Sequence, residues 1–417
     1  MTDERIDALI RRLDVQADPG AGFVSSSTSM LVGRVRAARV QDASRLGRMR
    51  RDLRLSLLVA GWPRVQQPLA VVGIIFLLLL AGLIAALTIG RVLTPQPVLP
   101  NGPLIVSIAG QLWSIDVDGG GASAIGASGE AAVHVSRAPD GATVAFWRTD
   151  PDGDQLTFMD MATRDRRQWV QDVAVKWGGC IDTWSPDSRW LASDVTIGGV
   201  NRILVVDSRT GTGRFATPEG MIARCPLWSP DGAWIAFTRE SSTGSRSLAI
   251  IRTDGSGQRD ISGLGGSQVS GPDSWSPDGA WIYFDASRSS VGRVYSANVA
   301  AGKSTALTEP SILAFAPALS PDGALIAFIV GRPVGFDLYV ANSDGSNAHR
   351  VAEHATNLGW SADSRSILTR WTPPGAAGGL AIVSPDGSGF RLIDPPGHAV
   401  CPESLGSCDV GWGQARP

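Results

Sequence analysis

Trp228-Ser-Pro-Asp-Gly-Ala-Trp-Ile-Ala-Phe237 is the stretch on which the fold turns. Ser229-Pro230-Asp231-Gly232 is a turn. Proline presets φ, the aspartate side chain bonds nearby backbone, and glycine tolerates positive φ. Trp234–Phe237 then reads as a buried strand and Ser247–Ile251 as a second. Asp254-Gly255 is a tight hairpin turn, and Gln258–Ile261 is a short outer strand. With the apolar run Cys225–Trp228 ahead of the turn, the unit is four antiparallel strands, the content of one propeller blade.

The unit recurs. Trp-Ser-Pro-Asp stands again at Trp184–Asp187 and Trp275–Asp278, and weaker copies lie at Arg137–Asp140, Leu319–Asp322 and Trp360–Asp363. From Pro139 the marker position advances by 47, 44, 47, 44 and 41 residues. A period in the forties with turn residues at fixed offsets is the mark of a β-propeller or a similar array. Strand blocks follow each turn at 142–178, 189–220, 233–266, 280–310, 324–352 and 365–395. An earlier block, Leu104–Ile125, lacks a preceding tryptophan strand, and Cys408–Trp412 supplies one at the far end. Pairing of the two ends closes the ring and removes exposed sheet edges. The expectation is an all-β chain with seven four-stranded blades over 103–417. Trp184, Trp228, Trp275, Trp360 and Trp412 are expected to pack between blades rather than to meet a ligand.

The segment 228–237, with Trp275–Phe284 and Ser320–Phe328, resembles the repeat of TolB-type propellers, the WD-repeat-like modules of the bacterial envelope. The resemblance covers about 102–417. It implies the propeller and says little about activity. TolB carries an α/β domain before its propeller and nothing in 1–101 looks like one, so the Tol-Pal role is not carried over. Similar propellers gate prolyl-oligopeptidase-like active sites, but those need a hydrolase domain for which this chain leaves no room.

Leu69–Gly90 is 22 residues without a charge, enough to span a hydrocarbon core of about 30 Å. It is too long for a signal-peptide core and no convincing cleavage site follows. The expectation is an uncleaved single-span helix over 68–91, followed by a Pro-rich linker at 92–102. Residues 1–67 hold 12 Arg against 7 acids, in a chain of net charge −2. By the positive-inside rule this Arg-rich, partly helical segment is cytoplasmic and the propeller lies outside the bacterial cytoplasmic membrane. Ile6, Leu9, Ile10 and Leu13 share one helical face. The arginines suit contact with anionic lipid. No aromatic residues are interleaved with them, so nucleic acid is not an expected partner.

All four cysteines, Cys180, Cys225, Cys401 and Cys408, fall in the proposed external domain, which suits disulfides in an oxidising compartment. Cys401–Cys408 is the nearest pair in sequence. Cys180 and Cys225 stand at similar places in adjacent repeats and also qualify, and free buried thiols are the plain alternative. No Cys-x-x-Cys is present and the four histidines are scattered, so neither metal nor cofactor is expected. Asp150, Asp152 and Asp154 alternate in a hairpin but do not match a calcium loop. Gly-x-Ser-x-Gly is absent, and no catalytic residues are marked.

The residues just before each tryptophan strand are the candidates to line the channel mouth: His134, Asp182, Arg224, Asp273, Asn357 and Asp409. The expected function is a non-catalytic, membrane-tethered binding or scaffold module for an envelope protein, peptide or polymer. The alternative is a single-pass signal transducer with an anti-sigma-like layout, in which residues 1–67 regulate a cytoplasmic partner. A propeller hydrolase or lyase is the third reading.

Overall fold

A computed structural model describes residues 103–393, except 109, 117–120, 150–151, 170–173, 262, 265–266, 289–290 and 376–377, and the backbone of 410–411. The side chains of 357 and 358 are likewise not described. The expected cytoplasmic segment, membrane helix and linker all lie outside these residues. No helix among the described residues is long and apolar enough to cross a membrane.

Every described element is a β-strand. In the repeat that begins at Ile222–Trp228, this inner strand pairs antiparallel with Trp234–Glu240, which pairs with Arg246–Arg252 and then with Arg259–Asp260. Burial falls outward. The second and third strands are buried along their centres, whereas Arg259 and Asp260 are exposed. The turn between the first two strands is built as its sequence requires. Ser229 Oγ donates to Asp231 Oδ1 at 2.5 Å, and Asp231 Oδ1 accepts the Ala233 N–H at 3.0 Å. Ser229 Oγ in turn accepts the Trp234 N–H at 2.9 Å. The same Ser–Asp pair forms at 185/187, 276/278, 320/322 and 361/363.

The fourth turn residue has positive φ in every copy, for steric reasons a glycine position. Gly141, Gly232, Gly279 and Gly323 fill it, but Ser188 and Ser364 also hold φ of 61° there. Their hydroxyls accept the backbone N–H of Asp140 and Asp322, one repeat earlier, at 3.0 and 3.1 Å. Here the backbone strain is offset by a bond between neighbouring turns.

The repeats form an all-β propeller. Its sheets do not number seven separate four-stranded ones, as the repeat spacing suggested. Among the described residues there are six sheets, four of four strands, one of five and one of eight. In the eight-stranded sheet, the inner strand Gln268–Trp275 begins early enough for Gln268 to pair in parallel with Arg246, and that single pair fuses two four-strand runs. In the five-stranded sheet the inner strand is broken into Lys176–Trp177 and Thr183–Trp184. The ends of the chain close on each other as expected. Val410–Gly411 pairs with Leu104–Ile108 through Ile105↔Gly411 and Val106↔Val410.

The core lies between successive repeats. Ala192, Ile203 and Val205 pack on Trp228, Ile235 and Phe237 of the next repeat. Leu104, Val106 and Ile115 pack on Leu368, Leu380 and Ile382, which joins first to last. Each buried valine, leucine or isoleucine here contributes about 1.5–3 kcal/mol. The motif tryptophans behave as expected: Trp184, Trp228, Trp275 and Trp360 are all buried. The indole N–H donates to a carbonyl of the preceding inner strand at three of them, Trp228 to Thr183 (3.1 Å), Trp275 to Leu227 (3.3 Å) and Trp360 to Ala318 (2.8 Å). Trp412 lies outside the described residues.

Candidate ligand-binding site at the inner strands

Successive inner strands such as Ile222–Trp228, Gln268–Trp275, Ala314–Leu319 and Ala355–Trp360 touch one another. Each departs from regular pairing near its middle. Register shifts occur at Val133/Ser136, Arg224/Leu227, Val269/Gly271, Pro272/Ser274, Phe315/Ala318 and Asn357/Gly359. Such bulges re-aim side chains and are common beside binding sites. His134, Cys225 and Ala316 hold φ of 54°, 52° and 49° at these places.

The candidates from the sequence do not share one environment. His134 stacks on Trp177, with ring centroids 3.2 Å apart. Asp182 is only 2% exposed. Its Oδ2 accepts the Trp147 indole N–H at 2.7 Å, and its carbonyl accepts the Ser136 hydroxyl at 2.9 Å. It ties two repeats together. Asn357 pairs through its backbone with Thr369, at the shift in its strand. Asp409, Cys401 and Cys408 lie outside the described residues.

Arg224 and Asp273 form the centre of what remains. Arg224 is half-buried on Ile222–Trp228, and its Nε is enclosed without a hydrogen-bond partner among the described residues. The nearby charge is Asp194, fully buried, which accepts the Cys180 N–H at 3.2 Å. Burial pushes the Asp194 carboxyl above its usual range, and Arg224 pulls the other way. Asp273 is half-buried, and one of its carboxylate oxygens is enclosed without a hydrogen-bond partner. Burial first, and then the charge of Asp285, push its carboxyl well up. Asp285 accepts the Ser270 hydroxyl at 2.6 Å and the Ala316 N–H of the next repeat at 3.2 Å, and burial raises it too.

Asp194 and Asp285 lie on second strands, away from the residues before the motif tryptophans to which the repeat pattern points. Both are the fifth residue of their second strand, where the neighbouring copies place Trp147, Thr238 and Ile329. Four of these five reach the next inner strand. Trp147 bonds Asp182, Thr238 bonds the Ser270 carbonyl at 3.2 Å, Asp285 bonds Ala316, and Asp194 faces Arg224. A carboxylate in the middle of an otherwise apolar buried strand was the available signal.

Cys180 and Cys225 form a disulfide with Cα atoms 5.0 Å apart, between the five-stranded sheet and the eight-stranded one. Gly271 makes room for it, since a Cβ there would lie 3.1 Å from the Cys225 Cβ. Of the acidic hairpin, Asp154 is turned inward and accepts the Trp177 N–H at 2.8 Å, with Lys176 Nζ 3.7 Å away.

The sequence profile of the TolB beta propeller domain matches residues 107–361. The chain belongs to the TolB beta-propeller family. Solved structures place this propeller beside others of diverse activity. TolB from Acinetobacter baumannii is 20% identical and the match covers 58% of this chain and 62% of that one, with a TM-score of 0.44. An oligogalacturonate lyase from Vibrio parahaemolyticus is 15% identical over 66% of this chain and 83% of its own, at 0.52. A puromycin-hydrolyzing peptidase from Mycobacterium tuberculosis is 13% identical over 72% of this chain and 54% of its own, at 0.55. At these identities the likenesses speak to the fold alone, and function in a TolB-type propeller has to be argued from its site.

Proposed function

We propose that this chain is a membrane-anchored, extracytoplasmic propeller that binds a protein, peptide or polymer of the cell envelope at its inner strands, without catalysis. The observation that carries the reading is a set of two inner-strand charge pairs, Asp194 with Arg224 and Asp273 with Asp285. It offers an enclosed guanidinium Nε and an enclosed carboxyl oxygen, each without a hydrogen-bond partner among the described residues. Native proteins leave few buried polar groups unsatisfied, and those that remain point to a role such as ligand contact. The Cys180–Cys225 disulfide supports an oxidising compartment. The uncharged Leu69–Gly90 run, with Arg-rich sequence before it, supports anchoring with the N-terminus inside. In this reading the eight-stranded sheet acts as two blades and the ring has seven, each blade having its own buried cluster with the next.

A second reading is favoured by one feature. Residues 1–67 are longer than an anchor requires and concentrate the basic charge. The propeller would then sense, and the tail would regulate a cytoplasmic partner. Crosslinking and affinity capture from native membranes separates the two, with the full chain run beside one lacking residues 1–55. Envelope proteins retained equally by both support the tethered binding module. A cytoplasmic regulator lost with the tail supports the transducer, and retention of neither contradicts both.

A further inference from the structure

The five-stranded sheet differs from the others at one place. Where neighbouring inner strands bulge, this one opens into the loop 178–182, Gly-Gly-Cys-Ile-Asp, between Lys176–Trp177 and Thr183–Trp184. The loop is held at both ends. Gly178 N–H donates to the Asp194 carbonyl at 2.9 Å, and Cys180 N–H to the Asp194 carboxylate at 3.2 Å. A Cβ on Gly178 would come within 2.5 Å of that carboxylate, so glycine is needed for the close approach. Asp182 is fixed by Trp147 and Ser136, and Cys180 is bonded to Cys225.

Between those fixed residues stands Ile181, 75% exposed, directly beside Asp182 at 2%. Burying an isoleucine would contribute about 1.5–3 kcal/mol to folding. The loop forgoes that while being tied on every side, so its outward pose is imposed. The disulfide also sets what stands next to Ile181. With 5.0 Å between the cysteine Cα atoms and about 3.8 Å per peptide step, the Cα atoms of Ile181 and Arg224 lie within about 13 Å. The Arg224 side chain lies near the Asp194 charge, and its Nε is enclosed without a hydrogen-bond partner among the described residues. An apolar anchor and an arginine on a rigid support are what interface energy concentrates on, and pre-ordering lowers the entropy lost on binding.

We propose that loop 178–182 is a disulfide-held docking tip, at which Ile181 and Arg224 together receive an extended segment of another protein carrying an apolar side chain beside a carboxylate. The proposal rests on the reading of the inner strands as a binding site and names the class of partner. Arg224 supplies a charge-assisted bond to the carboxylate, Ile181 covers the apolar side chain, and the disulfide positions the two relative to each other.

The test is photo-crosslinking of the full chain in its native membrane. A p-benzoyl-phenylalanine probe replaces Ile181, Ala316 on another inner strand, or Val334, which is 71% exposed on a hairpin tip without such ties. The expected result is a discrete protein adduct from position 181 and none from 334. Mass spectrometry should place the attachment within a few residues of an Asp or Glu of the partner. Adding Arg224→Gln should weaken the adduct about tenfold at equal protein abundance, the effect of losing one charge-assisted bond, and Cys180→Ser with Cys225→Ser should also weaken it by freeing the loop that positions Ile181. An adduct from 316 with none from 181 overturns the docking tip and leaves the inner-strand binding reading standing. No adduct from either overturns both. A lipid adduct at 181, a partner segment without a carboxylate, or an adduct indifferent to those substitutions also overturns the tip.

Discussion

Two junctions between successive repeats of this propeller use the same backbone and differ in what fills them. The junction of the strands 314–342 with 355–383 has an apolar centre, and its buried Asp337 is paired with Arg332 and Arg350. Ala327, Ile329, Leu338 and Val340 meet Trp360, Ile367 and Val383, and the Trp360 indole closes it with one bond to Ala318. The junction of the strands 190–207 with 222–252 has a similar apolar centre in Ala192, Ile203, Trp228 and Phe237. At its inner edge it adds a disulfide, a broken strand, the buried Asp194 and the arginine opposite it. The apolar junction suffices to join repeats. The additions go beyond what that junction uses, and they are where the proposed binding is located.

The contrast can be broken by substitution. Trp360→Ala should destabilise the full chain by about 3–5 kcal/mol, the range for truncating a buried aromatic, read from denaturant unfolding. Trp228→Ala should cost a similar amount, and a much smaller loss at either would mean the apolar centres are not the common joint. Cys180→Ser with Cys225→Ser should cost about 4 kcal/mol, the chain-entropy figure for a loop of about 45 residues, whose sequence separation is 45. A loss near zero would mean the apolar centre already holds that junction by itself.

Asp273→Asn should change stability in a pH-dependent way. The folded state raises the Asp273 carboxyl, chiefly through burial. A raised group contributes stability that is complete below its unfolded value, about 3.9, and is lost as pH rises through the folded value. The substitution should thus raise Tm at pH 8 by about 2 °C or more and change it little at pH 4. A Tm lowered at pH 8 would contradict a carboxyl raised by burial there. The smallest effect is expected from Ser188→Gly. It relieves a φ of 61° but removes the bond from Asp140 N–H, and the two changes of about 1 kcal/mol each should nearly cancel. A Tm shift of several degrees in either direction would show that one dominates.

The repeats were plain in the sequence because a Ser-Pro-Asp-Gly turn works through residues next to one another. Closure by the chain ends was legible for the same reason, since each partial unit could be seen to lack what the other had. Fusion of two strand runs through Arg246 and Gln268 was not, because one backbone pair between repeats depends on how neighbouring sheets sit. The candidate site was half legible. Position alone put Arg224 and Asp273 on the inner strands, where the structure has them. Asp182 was found as well, but its burial comes from Trp147, 35 residues earlier in the preceding repeat, and no local pattern reports that contact. The break at 178–182 was signalled by adjacent glycines in a strand, and the disulfide by cysteines one repeat apart.

The central claim is that ligand binding resides in the stapled, charged junction. Quantitative capture of envelope partners from native membranes tests it with two single substitutions in the full chain, Arg224→Gln there and Arg332→Gln, whose guanidinium is paired with Asp337 at 2.8 Å. The account predicts about a tenfold loss of the retained partner with Arg224→Gln and wild-type retention with Arg332→Gln. Equal retention by both variants would contradict it.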